Sequence, residues 1–246
     1  MPVGASAHVL AQLAPDLAEL LSDTSGVNLL ATSREPLNLA GEQRFRVDPL
    51  PDDDAITLFL ERARAVDPGF SASPAVGEIC RRLDGLPLAH ELAAARVSVL
   101  SAEDLAVRLE RALPLLTGGA RDVPERQRTL RAAIEWSYEL LTEDEQRAFR
   151  SLAVFAGSFD LGALSPVGGV DLDVLQSLTD KSLVRRWGSG RFGMLETIHE
   201  FAAERLCEAG EDGEVGRRHA EHFLAVAQSA NLGSDDELRA IAEDGF

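Results

Sequence analysis
The chain has 246 residues, a formal net charge of −17 and a sequence pI near 4.7. That length suits one large domain or two to three small ones, each able to bury a core, and the acidic balance argues against a free-standing nucleic-acid binder. Only Cys80 and Cys207 occur, each in an apolar helical pattern, so buried free thiols are expected rather than a disulfide or a metal site. With no apolar run long enough to span a bilayer and no signal-peptide pattern at Met1, the sequence reads as cytoplasmic, with no membrane partner.

Residues 6 to 22 carry leucines at three and four spacings, the pattern of an amphipathic helix bent or restarted at Pro15. Val27-Asn28-Leu29-Leu30-Ala31-Thr32 is short and apolar, as a buried strand of a parallel sheet would be. Arg34 follows directly, at the carboxyl end of that strand, where open α/β sheets bind ligands and where a permanently charged guanidinium suits a phosphate. Arg44 to Val47 alternates like a second short strand and is broken by Pro49 and Pro51.

Asp52, Asp53 and Asp54 then crowd a helix start, favoured there by the helix dipole rather than by a metal, because consecutive helical positions point in different directions. Four helices are expected in a row: Asp52 to Val66 with Ile56, Phe59, Leu60 and Ala63 on one stripe, Ala75 to Leu83, Leu88 to Leu100, and Ser101 to Leu113. Between the second and third lies Asp84-Gly85-Leu86-Pro87-Leu88, where Gly85 ends one helix and Pro87 starts the next without orphaning an N–H. Pro114 to Pro124, with Thr117-Gly118-Gly119-Ala120, has the composition of a linker.

Beyond the linker, Leu130 to Leu141 reads as an amphipathic helix, and Thr142 with Glu145 forms a capping box for the next, whose buried face is Phe149, Leu152, Ala153 and Ala156. Phe159 to Leu164 reads as a short helix or turn, and Asp171 to Thr179 as a helix. Gly188-Ser189-Gly190 turns one short strand into another, Arg191 to Leu195. Three helices followed by a hairpin is winged-helix order, yet the candidate recognition helix carries Asp171, Asp173 and Asp180 against one lysine, so DNA contact by this chain is not expected. Glu196 to Ala209, Val215 to Ala230 and Asp235 to Ala242 complete the chain as helices.

Gly85-Leu86-Pro87-Leu88-Ala89 followed by Glu91-Leu92-Ala93-Ala94-Ala95-Arg96 resembles the GLPL motif of the NB-ARC/STAND signal-transduction ATPases, particularly the bacterial transcriptional regulators. Leu29 to Leu37 is similar to the sensor-1 segment of the same family, whose arginine reports on the terminal phosphate. The resemblance implies a mainly α chain: the remnant of an α/β NTPase sheet over 1–50, a helical bundle over 51–116, a winged-helix domain over 125–210 and the start of TPR-like helical repeats over 211–246. It implies further that Arg34, Gly85, Leu86 and Pro87 belong to an ATP/ADP site, with Pro87 against base and ribose.

Two departures from the family bear on function. Met194-Leu195-Glu196 stands where the family has Met-His-Asp, and leucine cannot make the histidine's hydrogen bond to the ADP β-phosphate; His199, a turn on, reads as a packing or surface residue. No Gly-x-x-x-x-Gly-Lys-Ser/Thr loop is present, and Lys181, the only lysine, follows Asp180. The expectation is a regulatory fragment of an ATP/ADP switch, not an enzyme by itself, holding ATP or ADP only with an upstream domain. A nucleotide-independent interaction module, meeting protein partners or its own copies through helical surfaces, is the alternative.

Overall fold
The computed structural model describes residues 14–24, 26–33, 36–109, 111–116, 129–188 and 190–229. These are mainly helical, with one three-stranded antiparallel sheet. None of the described helices is long and apolar enough to cross a membrane.

Helix α1 (Ala14–Asp23) buries none of its residues. The stretch after it forms no strand: residues 26–33 lack sheet pairing, and Leu30 is 96% exposed. Residues 44–47 are likewise unpaired, with Phe45 91% and Val47 84% exposed. The expected sheet remnant is therefore not formed here. A strand is completed only by backbone partners beside it, and among the described residues none reaches these two segments.

Packing begins at Leu50. Helix α2 (Asp52–Val66) buries Ala55, Phe59 and Ala63, one residue per turn, against α4 (Pro87–Ala94). Helix α3 (Pro74–Arg82) sends Val76, Ile79 and Cys80 into the same core and packs on α5 (Ala102–Arg108). The helix expected over 88–100 stops at Ala94 and tightens into a 3₁₀ turn, Ala95–Ser98; the next is capped by Ser101, which accepts the Asp104 N–H at 3.0 Å, and ends at Arg108 rather than Leu113. Phe59, Ile79, Leu83, Leu105, Leu113 and Leu116 are fully buried, each burial worth roughly 2–3 kcal/mol. Cys80 is buried, and that burial pushes its thiol up to about 11; Cys207, expected to be buried, is exposed because its turn of helix faces solvent.

The same core continues behind the linker. Helices α6 (Leu130–Glu139) and α7 (Glu143–Ser151) are joined by the capping box: Thr142 Oγ1 accepts the Glu145 N–H, and Glu145 accepts the Thr142 N–H. A 3₁₀ turn, Leu152–Val154, follows α7, so the buried face continues through Phe155 while Ala156, expected inside, is exposed. Strand β1 (Phe159–Asp160) leads into a short helix α8 (Leu161–Ala163) and a π turn, Leu164–Gly168. Asp171 caps α9 (Leu172–Asp180) by accepting the Val174 N–H at 2.8 Å.

Strands β2 (Arg185–Trp187) and β3 (Arg191–Gly193) form the expected hairpin. Strand β1 was not expected: it pairs with β3 through Phe159 opposite Phe192, giving the order β1-β3-β2. Two residues carry no period of their own, and their pairing depends on a phenylalanine over thirty positions away. Helix α10 (Glu196–Ala209) then crosses α7, with Phe201 against Phe149 and Tyr138, and α11 (Asp212–Ser229) covers the π turn. Asp235 to Ala242 and residues 117–128 of the linker lie outside the described residues.

Candidate functional site at the Gly-Leu-Pro turn
Helix α3 stops because two successive residues are left-handed: Asp84 at φ 55° and Gly85 at φ 64°. Leu86 is extended, as a residue before proline must be, and Pro87 opens α4 at its first position. The turn is pressed against the chain entering α2. Gly85 C=O accepts the Leu50 N–H at 2.9 Å, and a Cβ on Gly85 would stand 2.3 Å from the Leu50 carbonyl oxygen. Glycine is thus required twice, for its φ and for the backbone approach.

Of the four residues assigned to a nucleotide, three are placed here. Gly85 is buried, Leu86 half-buried, and Pro87 exposed at the head of α4. Arg34 lies outside the described residues, so its distance to Pro87 is not defined. Behind the turn, His90 is fully buried, and its Nδ1–H donates to Leu86 C=O at 2.8 Å. Burial lowers its pKa and keeps the ring neutral, while Nε2 meets no partner among the described residues.

Asp84 turns away from α4, toward the start of α10. Its carboxylate accepts the Thr197 N–H at 3.4 Å and also the Glu196 N–H. It thereby supplies the cap that Leu195, the residue at the N-cap position, cannot. Burial foremost, with Glu196 adding like charge, pushes Asp84 up to about 6 despite those two N–H donors and nearby Arg185. Arg185 itself reaches Asp48, ahead of α2, at 3.6 Å.

One turn further along α10, Glu200 reaches back into the bundle and accepts the N–H groups of Ala112 and Leu113 at 2.9 and 3.1 Å. Burial leads in raising its pKa, opposed by those N–H groups. Glu204 pairs with Arg131 of α6. Met194 and Leu195 are buried, and His199 hydrogen-bonds Ala153 C=O at 2.9 Å, so the histidine is a packing residue as expected. Asp84 and Glu200 were not singled out in the sequence. The spacing of Thr197, Glu200 and Glu204 along one helical face was the available signal.

The candidate recognition helix α9 is acidic in place as well as in sequence. Lys181, just past its end, is held by both Glu145 carboxylate oxygens at 2.7 and 2.8 Å.

No family model matches the chain. It is similar over nearly its whole length to mycobacterial proteins. One in Mycobacterium tuberculosis strain H37Rv, named "Putative HTH-type transcriptional regulator", is 46% identical over 251 residues, covering 96% of this chain and 28% of that protein. A Mycobacterium bovis protein of the same description matches equally. An uncharacterized protein of M. tuberculosis H37Rv is 37% identical over 243 residues, covering 92% of this chain and 62% of its own length. The chain spans little more than a quarter of the first of these relatives, 28%.

Proposed function
We propose that this chain is the regulatory, non-catalytic part of a STAND-type transcriptional regulator, acting as half of an ATP/ADP switch when a phosphate-binding domain is present beside it. The observation that carries the reading is the Gly85-Leu86-Pro87 turn: rigidly stitched to Leu50, with its proline exposed where a nucleotide base could lie against it. Similarity to proteins named as HTH-type transcriptional regulators over 96% of the chain supports the regulatory setting. The order of α6, α7, α9 and the β2–β3 hairpin supports a winged-helix reading of this part, in the place the resembled family has one.

ATP or ADP would be held by Arg34, Gly85, Leu86 and Pro87 together with a phosphate loop that this sequence does not contain, so the chain alone does not hydrolyse ATP. ADP titration tests this directly. The chain alone gains no thermal stability from millimolar ADP. Joined to a phosphate-binding domain taken from the unmatched part of the M. tuberculosis relative, it binds ADP, and Arg34→Ala and Pro87→Ala each weaken that binding more than tenfold. A fusion that binds no better than the chain alone, or variants without effect, overturns the reading.

A second reading rests on a different observation. Val27, Leu29, Leu30, Phe45 and Val47 are exposed on unpaired segments, and α1 buries nothing. These surfaces suit a protein partner or a second copy without any nucleotide. DNA is a poorer partner for this chain, given its charge of −17 and the capture of Lys181 by Glu145.

A further inference from the structure
The bundle that ends at Leu116 and the unit that begins at Leu130 exchange carboxylates across one face of α10. Asp84 of the bundle accepts N–H groups at the first turn of α10, and Glu200 of α10 accepts the Ala112 and Leu113 N–H groups of the bundle. Each side therefore uses a carboxylate to satisfy backbone donors that the other leaves over at a helix start or turn. Each carboxylate feels a guanidinium, Arg185 for Asp84 and Arg131 for Glu200, but the hydrogen bonds that make the join go to backbone N–H groups.

We propose that Asp84 and Glu200 form a reciprocal clamp that closes the bundle onto α10 without any ligand, and that its two contacts open as one unit. The inference goes beyond the nucleotide reading and stands whether or not a nucleotide is bound. Leu195, at the position where the resembled family has a histidine, is buried. The closed arrangement is thus held by the polypeptide alone.

The clamp also responds to protons. Asp84 faces Glu196 of α10, which raises it, and Arg185 of β2, which lowers it and is shared with Asp48; Glu200 faces Glu204 on its own helix and Arg131 of α6. Both carboxyls lie above their ordinary range while the clamp is closed, because burial outweighs the donors, and opening returns them to water. The closed form therefore binds protons more tightly than the open form, and mild acid favours closure. For Asp84 alone, moving from 3.8 to about 6 implies that the opening equilibrium grows roughly tenfold between about pH 5 and about pH 7.5.

Native-state amide exchange on the full chain tests this, with rates corrected for intrinsic pH dependence. Protection of the Thr197, Ala112 and Leu113 amides falls together by roughly tenfold from about pH 5 to about pH 7.5. Core amides such as Phe59 and Leu178 hold theirs. Asp84→Asn, which keeps a residue that tolerates positive φ, and Glu200→Gln each reduce the pH dependence at all three amides together. Millimolar ATP or ADP leaves all three amides unchanged. Protection that is flat or rises with pH, amides on the two sides that open independently, or a nucleotide-dependent change would overturn the clamp.

Discussion
Replacing Gly85 by alanine tests the tightest point of the fold. At φ 64° an L side chain is strained by about 1–2 kcal/mol. The new methyl would also stand 2.3 Å from the Leu50 carbonyl oxygen, 3.1 Å from its nitrogen and 3.2 Å from Pro49 Cβ, so the entry to α2 must shift. That shift breaks the 2.9 Å bond from Leu50 N–H to Gly85 C=O, worth about 1 kcal/mol. The sum is about 2–3 kcal/mol, and at about 2–4 °C per kcal/mol for a chain of this size the midpoint should fall by roughly 4–12 °C. Gly210→Ala is the matched control: its φ is 68°, but nothing lies within 4 Å of the added carbon, so only the backbone strain remains. Thermal unfolding followed by far-ultraviolet circular dichroism compares the two. If Gly85→Ala melts no lower than Gly210→Ala, the turn is not pressed on Leu50 and the account of the site is wrong.

Glu145 supplies a pH dependence of opposite sign to that of Asp84. Burial raises it, but Lys181, Ser177 and the Thr142 N–H outweigh that and hold it at about 2, so its stabilisation is full above 4.5 and is lost as pH falls toward 2. Glu145→Gln should therefore destabilise the chain by about 2 kcal/mol at neutral pH and by almost nothing near pH 2, read from urea midpoints; equal losses at both would contradict the assignment. Arg150 donates two bonds to Glu211 at 2.9 and 2.7 Å and one to the Tyr138 hydroxyl at 3.0 Å, tying α7 to the start of α11. Arg150→Met should cost about 2–3 kcal/mol and selectively loosen α11 to proteolysis, and an unchanged cleavage pattern would count against that tie. On duplex DNA at low salt the chain should give no shift, because Lys181 is engaged and the net charge is −17; a salt-dependent shift would reverse the ranking of partners.

Much of the local architecture was legible because it rests on short-range rules. The Thr142–Glu145 capping box, the Ser101 cap, the β2–β3 hairpin and the limits of α10 follow from residues within a few positions of one another. The Asp84-Gly85-Leu86-Pro87 break was equally plain, since left-handed φ and proline at a first helical turn are local demands. Where burial needed a distant partner, the pattern misled: Val27 to Thr32 has the composition of a buried strand and lies exposed, and Ala156 keeps helical spacing after the helix has ended.

The sequence by itself determined where helices start and stop, because caps, glycine and proline act through the nearest backbone. Only the tertiary structure decided that Asp84 caps a helix more than a hundred residues later, and that Glu200 answers it across the same join. Such contacts depend on how two packed units are set against each other, and no period within either unit encodes that distance.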